Sequence, residues 1–164
     1  MHRFGVLALL LGGIALGACG SSSHAEALRE AVTGVDSGAV LLHAASSGFG
    51  ESDRFVVRDS VHWARVWDTA FARQAPVPPL PAVDFATEMV VVAALGTRPS
   101  GGYDIVIEGM ASEAGGAAVL VATTAPGDDC FTTAAITEPV VMVRVGTVAG
   151  PIRFHERAET HSCR

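Results

Sequence analysis

The sequence contains no lysine and no asparagine. Without lysine there is no P-loop, no Schiff-base chemistry and no serine–lysine dyad. Without asparagine there is no N-glycosylation acceptor and no Cys-His-Asn site of the papain kind. Positive charge is scarce: 11 arginines stand against 17 acidic residues, a net charge of −6 with histidine neutral. That balance argues against nucleic acid as a partner and against a polybasic surface for anionic lipid. Aromatic residues are also few, with one tyrosine, two tryptophans and seven phenylalanines, so the places where they cluster are informative. Three cysteines leave little room for a disulfide framework, and 164 residues suit one modest domain.

Long apolar runs are nearly absent as well, with one exception at the start. Met1–Cys19, "MHRFGVLALLLGGIALGAC", has basic His2 and Arg3, an apolar stretch to Leu16 and then small residues. This is the pattern of a secretory signal, too short and wrongly flanked for an ordinary spanning helix. Leu16-Gly17-Ala18-Cys19 resembles a bacterial lipobox, which predicts a signal peptide over residues 1–18 and lipidation of Cys19. A plain secretory signal with an incidental cysteine is the alternative. Removing Arg3 leaves 10 basic against 17 acidic residues, so the mature chain carries about −7. Lipid on Cys19, rather than charge, would then hold the protein at a membrane, and more than one acyl chain anchors stably. Gly20, where an aspartate would act as a retention signal, favours the periplasmic face of an outer membrane or the cell surface. Residues 19–38 read as the lipidated cysteine followed by a flexible tether with transient helix.

Cys130 and Cys163 remain, an even pair in an oxidising compartment. The expectation is a disulfide between them that pins the C-terminal tail, with free thiols as the alternative.

Residues 39–164 read as one β-rich domain. Ala39–Ala45 and Arg54–Asp59 are predicted strands. "SVHWARVWDTAFARQ" follows, with Asp59 or Ser60 able to cap a helix. Trp63, Trp67, Ala70 and Phe71 share one helical face, as expected of a helix docked on a sheet; an aromatic ligand box is the competing reading. Pro76, Pro78, Pro79 and Pro81 preclude helix and favour a stiff extended connector. "EMVVVAAL" is apolar on both parities, as a central strand covered on both faces would be. "YDIVIEG" alternates, with Tyr103, Ile105 and Ile107 on one side. "AVLVATT", "PVVMVRVG" and "IRFHE" complete the strands, and short turns between them suggest an antiparallel meander. The fold class is therefore α+β and β-rich: a twisted antiparallel sheet, or a small barrel or sandwich, carrying one amphipathic helix.

No stretch assembles a familiar reactive set. Gly101-Gly102 precede a strand pattern rather than a helix, so they do not open a phosphate cradle. Ser100 with His155 and Asp104 would be the nearest approach to a hydrolase triad, yet "RPSGG" is not a nucleophile elbow. His155, His161, Cys163, Asp128 and Asp129 lack metal-site spacing, and "HSC" reads as a solvated tail. Two aspartates before Cys130 would raise its thiol pKa and argue against a thiolate nucleophile. The sequence thus suggests no catalytic residues, no metal and no cofactor. The small corner Arg98, Ser100, Gly101, Gly102 and Tyr103 reads as a hairpin connection that either grips a partner or closes the fold. An exposed strand edge beside it would suit pairing with an extended segment.

The same corner carries a family resemblance. "VDF…EMVVVAALGTRPSGGYDIVIEGM", then "LVATTAPGDDC" and "EPVVMVRV", resembles the PrcB C-terminal domain family over about Asp84 to Phe154. The most specific signal is G-x-R-x-x-G-G-Y after an apolar strand, with Gly96, Arg98, Gly101, Gly102, Tyr103, Ile105, Pro126 and Pro139 at matching positions. Those proteins are bacterial envelope lipoproteins named for a subunit of a protease complex. The resemblance implies a non-catalytic role in which a protein partner, a protease complex among the candidates, is bound or stabilised at the envelope. A small envelope hydrolase using Ser100 and His155, or a ligand-binding lipoprotein with a pocket near Trp63 and Trp67, are the alternatives.

Overall fold

A computed structural model describes residues 33–34 and 39–164 of the chain. The predicted signal peptide and Cys19 lie outside the described residues. The elements in chain order are β1 (Thr33–Gly34), β2 (Val40–Ala44), β3 (Asp53–Val57), α1 (Ser60–Ala70), β4 (Glu88–Ala94), β5 (Asp104–Glu113), β6 (Gly116–Pro126), β7 (Val140–Gly146) and β8 (Ile152–His161).

The strands form two four-stranded sheets, β1-β5-β6-β8 and β2-β7-β4-β3, neither closed into a barrel. All neighbours are antiparallel except β6 and β8, which run parallel. The simple meander is therefore corrected. After β6 the chain crosses to the other sheet as β7 and returns beside β6, which makes the last pairing parallel. Two further expectations change. Thr33–Gly34, assigned by sequence to the tether, pair with Gly109 and Met110 of β5. The last strand, read from sequence as Ile152–Glu156, continues as far as His161, so the "HSC" stretch begins inside β8 while its residues stay exposed. The partners of the residues after Glu156 run from Ala122 to Pro126 of β6.

Packing follows the side-chain parity of each strand. Val91, Ala93 and Leu95 of the β4 segment and Val141 and Val143 of β7 meet Ile105, Ile107, Val119 and Val121 between the sheets. A bulge between Ile107 and Gly109 shifts the inward row of β5 from odd to even residues, so Met110 also faces this core. The opposite parity of β4 and β7, with Val90, Val92, Ala94, Val140 and Met142, packs against Val57 and α1. The central strand is thus buried on both faces, as its unbroken apolar run requires.

Helix α1 begins at Asp59, whose carboxylate accepts from the His62 backbone N–H at 2.8 Å. It buries Trp63, Val66, Trp67 and Ala70. Each indole also needs a partner for its N–H once buried. The proline connector supplies both: Trp63 Nε1 donates to Pro81 O and Trp67 Nε1 to Pro78 O, each at 2.9 Å. Carbonyls three residues apart on an extended proline helix fall on the same side, which matches two tryptophans one helical turn apart. The indoles fill the space between helix and sheet, so the predicted alternative of a ligand pocket there is replaced by a packed core.

Candidate functional site

The segment from Gly96 to Tyr103 joins β4 of one sheet to β5 of the other. It is a crossing between sheets, not the hairpin turn read from sequence, because β4 and β5 do not pair. Two glycines permit the path. Gly96 has φ of +76° and Gly102 of +86°, where a side chain is strained. At Gly96 an added Cβ would also lie 2.7 Å from the Ser52 backbone nitrogen.

The crossing is fastened to the chain before β7. Leu95 N donates to Pro139 O at 2.8 Å, and Arg98 and Thr137 exchange backbone hydrogen bonds at 2.8 and 3.0 Å. Gly101 N donates to Thr133 O at 3.0 Å, and Thr137 Oγ1 donates to Ser100 O at 2.8 Å. The corner is therefore held by the backbone, which leaves its side chains available. Arg98 and Tyr103 are both half-buried. The Arg98 guanidinium lies 5.9 Å from the Tyr103 ring centroid, within cation–π range, and its Nη2 donates to Leu95 O at 2.7 Å.

Both side chains line a cavity of about 240 Å³ at the open end of the space between the sheets. Leu95, the Thr123–Ala125 end of β6 and the Ala158–Thr160 end of β8 form its other walls. The family model described as PrcB C-terminal matches residues 89–146, from β4 through β7, with the whole corner inside the match. Over this stretch the chain is similar to the PrcB C-terminal family. No curated protein and no solved structure matches the chain. Within the PrcB-like stretch the G-x-R-x-x-G-G-Y signature has a structural explanation: the glycines make the crossing, and Arg98 and Tyr103 stand on the cavity wall.

The other sequence candidates are dispersed. Ser100 Oγ donates to Gly101 O at 3.0 Å. His155 sits across from Leu120 on the outer face of its sheet, where Nε2 lies 3.6 Å from Glu113 Oε1, beyond hydrogen-bond reach. Ser100 and His155 thus take separate surroundings. Asp104 pairs instead with His43 at 2.7 Å. Among the described residues no three His, Cys, Asp or Glu side chains gather as metal ligands.

Cys130 and Cys163 form the expected disulfide, with Cα atoms 5.1 Å apart. Such a bond belongs to an oxidising, extracytoplasmic compartment. No helix among the described residues is long and apolar enough to cross a membrane. Beside the disulfide, the Asp129 carboxylate accepts from Ser162 Oγ at 2.8 Å and the Cys163 N–H at 3.0 Å. The Ser162 hydrogen bond leads the causes that hold Asp129 below the usual carboxylate range.

Sequence reasoning missed Glu138. It is 3% exposed and receives Arg73 Nη1 and Nη2 on its two oxygens, each at 2.8 Å. It also missed Arg54, which reaches Glu156 on β8. An acid placed directly before Pro139 and an apolar strand was the available signal for Glu138. Nothing local marks Arg54, whose partner is 102 residues away.

Proposed function

We propose that this protein is a lipid-anchored, non-catalytic interaction module of the cell envelope that binds or stabilises a protein partner through the Arg98–Tyr103 corner. The observation that carries the reading is the corner itself. A rigid backbone presents one arginine and the only tyrosine of the chain on the wall of an open cavity. Arginine and tyrosine are the residue types that most often anchor protein interfaces. The PrcB C-terminal match supports the same reading, and the family resemblance makes a protease complex the first class of partner to seek. Lipid on Cys19 supplies the anchor, at the periplasmic face of an outer membrane or at the cell surface.

Two experiments test the proposal. Cys19→Ser is expected to abolish labelling with radioactive palmitate and move the protein from the membrane to the soluble fraction. Continued membrane retention without labelling would reject the lipid anchor. For the corner, the full chain carrying Arg98→Ala and Tyr103→Ala is used to capture partners from native envelope. Loss of a discrete partner is expected, and full retention by both single variants removes the corner as the binding site.

A further inference from the structure

We infer that the free edge of β8 over Arg157–His161, with the cavity behind it, takes an extended peptide carrying an acidic side chain. This deepens the reading of the corner as a partner site and rests on it. Among the described residues, strand β8 ends its sheet and pairs only with β6. An unpaired edge presents alternate N–H and C=O groups as a template for another strand. The ion pair between Arg54 of β3 and Glu156 of β8, 3.1 Å at its nearest, ties the two sheets together at residue 156. Beyond it, residues 158–161 are exposed.

The inward-facing residues of that stretch are small. Ala158 and Thr160 share the face of Thr123 and Ala125 across the β6–β8 ladder, and all four line the cavity with Leu95, Arg98 and Tyr103. A peptide strand added beside β8 sends every second side chain toward this face. The cavity, about 240 Å³, falls below the ~300–1,000 Å³ of small-molecule sites. It suits a single side chain delivered by a paired strand.

Charge decides which side chain. Arg54, Arg73, Arg144, Arg153, Arg157 and Arg164 each lie within ion-pair distance of a carboxylate. Arg98 has none among the described residues; it contacts only the Leu95 and Thr97 carbonyls and the Tyr103 ring. Glu159, on the opposite wall, shares Arg157 with Glu108. Arg98 is thus the cavity's guanidinium with no carboxylate in ion-pair distance among the described residues and with donors to spare, and a carboxylate is its natural complement.

The test uses the full-length protein in detergent and fluorescence anisotropy. The probe is a labelled peptide of alternating threonine and valine with a central aspartate. Saturable binding is expected, weakened about ten- to hundredfold when the aspartate becomes asparagine or when Arg98→Gln is introduced. Methylation of alternate backbone nitrogens in the peptide should abolish it. Arg98→Glu should restore binding to a lysine-centred peptide, which separates charge recognition from misfolding. Equal affinity for the asparagine peptide overturns the acidic specificity, and equal affinity for the methylated peptide overturns edge pairing. If no peptide binds while the corner variants still lose their envelope partner, this inference fails and the interaction module stands. If the corner variants also keep every partner, both fail.

Discussion

Glu138 is the charged side chain most fully withdrawn from water among the described residues, and its situation sets a cost on its partner. Arg73 grips both carboxylate oxygens at 2.8 Å while its own side chain is 69% exposed. Removing the arginine leaves a buried carboxylate without its charge-assisted hydrogen bonds. Arg73→Ala is therefore expected to destabilise the fold by about 1.5–3 kcal/mol, read as a lowered urea midpoint. Adding Glu138→Gln should recover part of that loss, because a neutral amide is cheaper to leave unpaired than a carboxylate. If Arg73→Ala alone shifts stability by less than about 0.5 kcal/mol, the pair behaves as a surface contact and this account is wrong. The consequence reaches the functional corner, since Glu138 follows Thr137, whose backbone holds Arg98 in both directions.

At the scale of elements, the C-terminal half of β8 depends on fastenings at its end. The Cys130–Cys163 bond closes a loop with a sequence separation of 33, worth about 3–4 kcal/mol in the loop-entropy account. Asp129 adds a pH-dependent fastening. Its folded pKa is depressed, so its contribution is fully present above the unfolded value of about 3.9. It is lost as the pH falls from there through the lower folded value. The backbone amide resonance of Cys163 should therefore move with a midpoint below about 3.9, and Asp129→Asn should remove that transition. A midpoint at or above the ordinary carboxyl value would show that Ser162 and Cys163 do not hold the carboxylate. Much of this element structure was legible in the sequence. The helix was marked by its tryptophan spacing and cap, the central strand by its unbroken apolar run, and the disulfide by cysteine arithmetic. The second half of β8 was not, because "RAETH" has no apolar row and forms a strand only where β6 offers a parallel partner. The corner residues were found, but the crossing between sheets was not, since a glycine-rich link between two strands looks alike whether they pair or separate. The cavity was invisible for a similar reason: three of its walls come from Leu95, Thr123 and Ala158, which local pattern cannot bring together.

For the whole molecule, the question is what keeps an open sandwich from splaying, because neither sheet closes on itself. Apolar packing fills the middle, and one polar contact stands at each side. His43 of β2 meets Asp104 of β5 at 2.7 Å, with both side chains more than 40% exposed. On the other side Arg54 of β3 meets Glu156 of β8, and the Arg54 side chain is only 10% exposed. Burial is the leading influence on the Arg54 guanidinium and lowers its pKa, against the opposing pull of Glu156. Arg54 Nε has no well-aligned hydrogen bond, although Nη1 of the group donates to the carbonyls of both Asp53 and Ala94. The ion pair is thus partly desolvated and imperfectly satisfied, the circumstance in which breaking one side costs more than replacing both. Glu156→Ala should destabilise the protein by about 1–3 kcal/mol, and Arg54→Met combined with Glu156→Leu should return close to the wild-type urea midpoint. Hydrogen exchange distinguishes a local clasp from a global contribution. In Glu156→Ala, amides of β3 and of β8 near residue 156 should lose protection while the β5–β6 hairpin keeps it. Uniform loss across both sheets would mean that the pair supports the sandwich as a whole rather than one of its sides.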